Sequence, residues 1–493
     1  MSNASYDGPI GALKLGAVRG AFVTSLAQLA KVIVQFGSVV VMSRLLSPAD
    51  FGLLAMVAPI YGLALIFQDL GLSHATVQSA QVTPAQSNAL FWLNVGAGLT
   101  LAVPLLMLAP LVGWFYGDER AAGLTRGFAA LIVIVAFGAQ HSALLTRMMR
   151  FHFLAALDTL SMFCGFLGGA LLALAFHTYW ALFASYAISA SINAIGVWIG
   201  AGFVPGWPRW EAGASQMVRL GAGFTSFNVF NFIVRNVDNI LIGRVWGDAA
   251  LGLYDRAYRF LLFPLIQINI PLARVMLPTL ARLRTDPPRY RIAYLQAVNQ
   301  LLLVTQPGIV FAIATADLLI PILLGQKWTE AAPIFQWMGL AALLQPISGA
   351  ANWLFISQQR SKAFAGFGAF NAAVSTAAFC VGLPWGPIGV AASYSVAQAF
   401  VRCPVMFWMA TRTGAVRPGD LVGVATIHGL ASAASFGAIM AARQAITLGG
   451  VLPLALFLCL SYAITLLVLA LAPSGRTALR DSISIVTLIA SRS

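Results

Sequence analysis

Charge is scarce in this sequence, and negative charge scarcest. Of its 493 residues, 9% are charged, with 15 acidic against 29 basic side chains, whereas soluble domains carry about 25%. So few charges cannot cover a water-exposed surface, which excludes an ordinary soluble fold. Cysteine is rare too: Cys164, Cys380, Cys403 and Cys459 stand singly within apolar stretches, with no C-x-x-C spacing. That excludes a disulfide framework and a thiolate metal site, and the four read as packing residues. The five histidines are equally dispersed. There is no Walker A loop, no H-E-x-x-H, no dinucleotide glycine fingerprint and no paired acidic motif in a loop. The predicted loops are short and leave little room for an extramembrane active site, so neither an enzyme nor a bound cofactor or metal is expected.

Apolar length is what the chain has. Hydrophobic residues make up 59% of it, in runs of about 20 residues, the length that crosses a bilayer as a helix. A transmembrane barrel would show short alternating segments instead. The net charge of +14 would suit nucleic acid only on a soluble basic face. Here the basic residues sit mostly in short loops, where membrane orientation explains them, and no nucleic-acid partner is expected. Met1-Ser2-Asn3-Ala4 resembles a tag remnant, and no cleavable signal peptide is expected before the first span.

Apolar runs bounded by Gly, Pro and charge predict an all-α polytopic membrane protein. Its first six spans lie near 20–44, 53–72, 88–114, 127–147, 153–176 and 179–202. The Pro- and Trp-rich stretch Phe203 to Glu211 reads as an interfacial linker. Eight further spans follow near 217–245, 251–280, 296–324, 334–357, 363–384, 387–410, 420–442 and 451–472, about fourteen in all. With a cytoplasmic N-terminus, Arg147, Arg150, Arg209, Arg219, Arg282, Arg284, Arg289, Arg291, Arg360, Lys362, Arg412, Arg417, Arg476 and Arg480 face the cytoplasm. The outer loops hold Arg44, Arg120, Arg126, Arg244, Lys327 and Arg443. That asymmetry predicts both termini inside.

The halves resemble each other. Thr24-Ser25 recurs as Thr225-Ser226, Arg44 with Gly52-Leu53 as Arg244 with Gly252-Leu253, and Ala184-Ser185-Tyr186 as Ala392-Ser393-Tyr394. An offset of about 200 residues points to a duplicated six-helix unit, and an even helix count makes the repeats parallel. The expected organisation is an N-lobe over 1–202, a linker over 203–216, a C-lobe over 217–410, and two appended helices with a tail over 411–493.

Polar groups inside spans carry the sharpest information, because each needs a partner, a cavity or an interface. Thr24, Gln28, Lys31, Gln35 and Ser38 share one face of the first span. Lys31 either snorkels to the interface or faces a cavity, and its central position favours the cavity. Asn228, Asn231, Arg235, Asp238 and Asn239 form a stripe on the seventh span. An internal Arg235–Asp238 pair would account for two of them, and the three asparagines favour a hydrophilic wall. Arg256 and Arg259, with Tyr254 and Tyr258, begin the eighth span as interfacial anchors or substrate contacts. Asn352 and Gln345 place smaller polar groups in the tenth. Asp158, Asp317, Arg274 and Arg402 have no evident sequence partner, and structural pairing is expected for each. Gly165 with Gly169, and Gly196 with Gly200, read as close helix packing.

Two segments carry a family resemblance: Val34-Gln35-Phe36-Gly37-Ser38 through Ser43-Arg44-Leu45-Leu46-Ser47-Pro48-Ala49-Asp50-Phe51-Gly52-Leu53, and Asn231 through Arg244 followed by Leu251-Gly252-Leu253-Tyr254 and Ala257-Tyr258-Arg259. They resemble Wzx-type polysaccharide flippases of the multidrug/oligosaccharidyl-lipid/polysaccharide (MOP) exporter superfamily, in the branch with the colanic acid exporter. The resemblance implies a MATE-like fold of two six-helix lobes related by a pseudo-two-fold axis, plus two C-terminal helices. It implies an undecaprenyl-diphosphate-linked oligosaccharide moved from the cytoplasmic to the periplasmic leaflet of a bacterial inner membrane by alternating access, with a polysaccharide polymerase and export machinery as partners. Lys31 and Arg235 would neutralise the diphosphate, with Gln28, Gln35, Asn228, Asn231, Asn239, Arg256, Arg259 and Asn352 as further cavity candidates. A proton or sodium gradient could drive transport through Asp238. Two alternatives are a MATE-like drug or cation antiporter, which would want a carboxylate-rich cavity, and a membrane glycan polymerase or ligase, which would want a large outer loop.

Overall fold

The computed structural model describes residues 31–69, 72–78, 82–208, 214–446 and 450–472, with 475–476 and 479–480 of the tail. Among them there is no strand. The helices are α1 (31–45), α2 (Pro48–Asp69), α3 (Leu72–Gln78), α4 (Pro84–Tyr116), α5 (Glu119–Arg147), α6 (Phe151–Phe176), α7 (Trp180–Ala201) and α8 (Ala214–Arg282). They continue as α9 (Pro287–Ala314), α10 (Ala316–Leu324), α11 (Ala331–Ser357), α12 (Ser361–Gly382), α13 (Gly386–Ala397), α14 (Cys403–Thr411), α15 (Pro418–Ala445) and α16 (Val451–Leu471).

Eleven helical runs among the described residues are long and apolar enough to cross a membrane, against about fourteen spans expected. Two of them, Arg235–Thr285 and Ser361–Thr411, are 51 residues long and each holds a glycine at positive φ. Gly247 (φ 81°, ψ −173°) interrupts α8, and Gly386 (φ 73°) separates α12 from α13. A backbone there takes a conformation that a Cβ resists, which matches the breaks expected after 245 and 384. Of the first expected span, 20–44, only residues from 31 on lie within the described set.

The chain forms two compact units, residues 1–236 and 237–493. Residues 209–213 of the expected linker lie outside the described set. In the first unit, α5 packs against α2, α4 and α7, with Ala102, Leu105, Ala129 and Ile132 buried together. Helices α6 and α7 approach through small residues. A Cβ on Gly165 would stand 2.5 Å from the Ser185 carbonyl oxygen, and one on Gly169 would collide with the Ser185 side chain. Reciprocally, Gly196 and Gly200 of α7 receive Leu157 and Phe153 of α6. The stretch after α7 is fastened back: Asn88 donates to the Trp207 carbonyl at 2.8 Å, and Trp92 to that of Gly206 at 2.8 Å.

In the second unit, α9, α11 and α14 enclose a core of Tyr290, Tyr294, Leu301, Trp353, Phe355, Met406 and Phe407. Helices α15 and α16 dock on α9 through Val310, Ile439 and Phe457 and through a polar seam. His428 meets Asn299 at 3.2 Å, and Ser432 donates to Gln306 at 3.2 Å. Pro307 breaks the α9 hydrogen-bond ladder. Beside it, Tyr462 donates to the Val304 carbonyl and Ser461 to that of Pro307, both at 2.8 Å.

One turn occurs in both units. Helix α5 ends in Met149 at φ 57° and α11 in Gln359 at φ 58°, and each is followed by an arginine that opens the next helix. Arg150 Nη1 donates to the Gly200 carbonyl at the end of α7, 2.9 Å away. Arg360 donates to the Ala410 and Met409 carbonyls at the end of α14, at 2.8 and 2.7 Å. The two arginines are 360 − 150 = 210 residues apart, close to the offset of the sequence repeats.

Candidate functional site

In the second unit, the break at Gly247 separates two helical stretches of α8 that each carry a buried carboxylate. Asp238 is 7% exposed and Asp255 5%. The two are treated differently. Asp255 sits one turn before Arg259, whose Nε reaches both carboxylate oxygens at 2.7 and 2.8 Å, so its charge is matched. Asp238 instead accepts the Tyr254 hydroxyl at 3.1 Å and the Asn239 amide at 2.9 Å. No Lys or Arg forms an ion pair with it among the described residues. A buried carboxylate held by neutral donors must take up a proton or a cation, or bear a large desolvation cost.

A second polar group lies on α12 to α14. A π-helical turn, Gln398–Arg402, swings Arg402 over the Tyr394 ring, 4.8 Å from its centroid, while Arg402 Nε donates to Asn371 at 2.5 Å. Such π turns add a residue to a helix turn and often occur where a side chain must be re-aimed.

The other sequence candidates fall as follows. Lys31 is half-buried on α1, Gln35 exposed, and Arg235 exposed on α8 without a carboxylate partner among the described residues. The Arg235–Asp238 ion pair, the alternative to a hydrophilic wall, is not formed among the described residues. Gln28 lies outside the described residues, as do the side chains of Asn228 and Asn231. Asn239, Arg256 and Asn352 are half-buried, and Arg259 is exposed. Three of the four charges without sequence partners find polar ones: Asp158 with Asn193 at 3.0 Å, Asp317 with Arg443 at 2.5 Å, and Arg402 with Asn371. Arg274 is exposed.

Sequence reasoning missed Asp255, although its spacing of four to Arg259 was a usable signal. It also missed Asn371, the stacking role of Tyr394, and an aromatic strip in the first unit. There Tyr61 packs on Phe128 at 4.5 Å, and Phe128 meets Tyr186 at 6.0 Å.

Comparisons with known proteins bear on what such a molecule is. A family described as "Polysaccharide biosynthesis protein" matches residues 41–333. The lipopolysaccharide biosynthesis protein WzxC of Escherichia coli is 22% identical over 361 residues, 73% of each chain. Among solved structures, the lipid II flippase MurJ in an inward closed conformation superposes with a TM-score of 0.74 at 14% identity, covering 90% of this chain and 97% of that one. An inward-facing MATE family transporter of the MOP superfamily superposes with a TM-score of 0.60 at 14% identity, over 80% of this chain and 95% of that one. The fold is thus the one that MurJ and MATE transporters share.

Proposed function

The chain belongs to the polysaccharide biosynthesis protein family, and from that premise we propose that it is a flippase for a lipid-linked oligosaccharide. The supporting observation is that the family match spans α2 through α10 and includes Asp238, a buried carboxylate on α8 without an ion-pair partner among the described residues. The substrate is an undecaprenyl-diphosphate-linked repeat unit, carried from the cytoplasmic to the periplasmic leaflet of a bacterial inner membrane, with both chain termini in the cytoplasm. Lys31 and Arg235 neutralise the diphosphate, since charge-assisted contacts to phosphate oxygens are the strong ones. Polar side chains at Gln28, Gln35, Asn228, Asn231, Asn239, Arg256, Arg259 and Asn352 replace water around sugar hydroxyls. Asp238 couples the cycle to a proton or sodium gradient: loading the carboxylate cancels its buried charge, and unloading restores it. A polymerase and export machinery take over the flipped unit.

The test is flipping of a fluorescent undecaprenyl-diphosphate-linked oligosaccharide in proteoliposomes. Lys31→Ala and Arg235→Ala are each expected to slow it about tenfold, the loss of one charged hydrogen bond. Asp238→Asn is expected to abolish acceleration by an ion gradient while leaving downhill exchange. Normal flipping in both alanine variants sinks the site assignment. No flipping by the native chain sinks the transport reading.

A further inference from the structure

Three turns meet at one end of the second unit, and between them they carry eight basic residues. These are Arg282 and Arg284, with Arg289 and Arg291, before and within the start of α9; Arg360 and Lys362 at the start of α12; and Arg412 and Arg417 between α14 and α15. Hydrogen bonds tie the turns together. Tyr290 shares a hydrogen bond with Ser357 at 2.6 Å and receives one from Gln358 at 3.3 Å. Arg360 holds the end of α14, and Arg291 binds Asp420 at 2.5 and 2.7 Å.

The same turns contain two carboxylates, Asp286 and Asp420, and both are occupied. Arg289 pairs with Asp286 at 3.3 Å, and Arg291 and the Arg417 amide take Asp420. Arg360 is committed to backbone carbonyls. That leaves Arg282, Arg284, Lys362 and Arg412 exposed and without a carboxylate partner among the described residues. Arg412 lies over the Trp408 ring, 5.4 Å from its centroid, and near enough to Arg360 for the two charges to repel. Trp408 is itself 57% exposed, and Ile292 54%.

We propose that this end of the second unit is a docking surface for anionic phospholipid headgroups of the leaflet it faces. The position fits, because the turns join the ends of apolar spans and so lie at headgroup depth. The chemistry fits too: the four unmatched charges are spread over three turns, Arg282 and Arg284 on the first, Lys362 on the second and Arg412 on the third, an arrangement that suits several monovalent headgroups. An exposed tryptophan on the apolar side is the usual partner of such a belt. Each basic residue near an anionic membrane surface changes partition about fivefold.

The full chain, reconstituted in nanodiscs of mixed phosphatidylglycerol and phosphatidylcholine, is extracted in mild detergent and its co-purified lipid measured. Enrichment of phosphatidylglycerol is expected, falling steeply as salt rises from about 0.1 M to about 1 M. The variant Arg282→Gln, Arg284→Gln, Lys362→Gln, Arg412→Gln is expected to lose most of that enrichment, and the Arg282→Lys, Arg284→Lys, Arg412→Lys variant to keep it. Arg126→Gln with Lys327→Gln, neutral changes elsewhere, should leave it intact. Equal retention of both lipids by the native chain, unchanged enrichment in the glutamine variant, or equal loss in the control overturns the proposal. No glycan lipid is present, so the outcome is independent of the transport reading.

Discussion

Asp118 shows how one side chain works at two levels. It caps α5 by accepting the Arg120 amide at 2.8 Å, and its carboxylate also receives the Arg120 guanidinium at 2.6 to 3.1 Å. Burial pushes its pKa up, but the hydrogen bonds and charge of Arg120 outweigh that and hold it below the usual carboxylate value. A depressed folded pKa means that the ionised form stabilises the fold. The contribution is complete above the unfolded value near 4 and is lost as pH falls through the lower folded value. Asp118→Ala is expected to cost about 0.5–2 kcal/mol at neutral pH, the range for a lost N-cap. Thermal unfolding in detergent from pH 7 down to about 3 checks it: the gap between native and variant should narrow at the acid end. A constant gap would mean that the charge contributes nothing beyond the cap geometry.

Among the elements, the glycine breaks were the most legible. A left-handed turn residue between two apolar runs is a local signal, so Gly247 and Gly386 fall where the sequence places span ends. The α6 and α7 contact was legible for the same reason, since small residues at spacing four leave room for a neighbouring backbone. Partners across helices were not legible. Asn193 lies 35 residues from Asp158, Asn371 lies 31 from Arg402, and Arg443 lies 126 from Asp317, distances over which no pattern in the chain specifies contact. Asp255 was a different kind of omission, because its partner Arg259 is local. Gly247→Ala tests the break itself. Its φ of 81° with ψ near −173° belongs to a region that is essentially glycine's own, and forcing an alanine there costs on the order of 1–3 kcal/mol. A lowered unfolding temperature is expected, whereas Gly366→Ala, where an added Cβ meets nothing within 4 Å, should change little. Equal effects would show that Gly247 is not strained for other residues.

For the whole molecule, the turns at Arg150 and Arg360 are alike in the two units. In each unit a guanidinium sits at the C-terminal end of a helix, where the macrodipole and the last carbonyls both attract positive charge. The two are not equal. Arg360 reaches two carbonyls and lies over the Phe355 ring, 5.1 Å from its centroid, while Arg150 reaches one. Arg360→Met should therefore destabilise more than Arg150→Met, each by about 0.5–2 kcal/mol. The partners of the two arginines belong to different units, Gly200 to the first and Met409 and Ala410 to the second. Changes without shared partners add within about 0.5 kcal/mol, so the double variant should lose the sum of the single losses. A loss well beyond that sum, measured by chemical unfolding in detergent, would mean that the two arginines are coupled through more than their own helix ends. A loss equal to the larger single effect would mean that one unit limits the stability of the chain, with the other unfolding only after it.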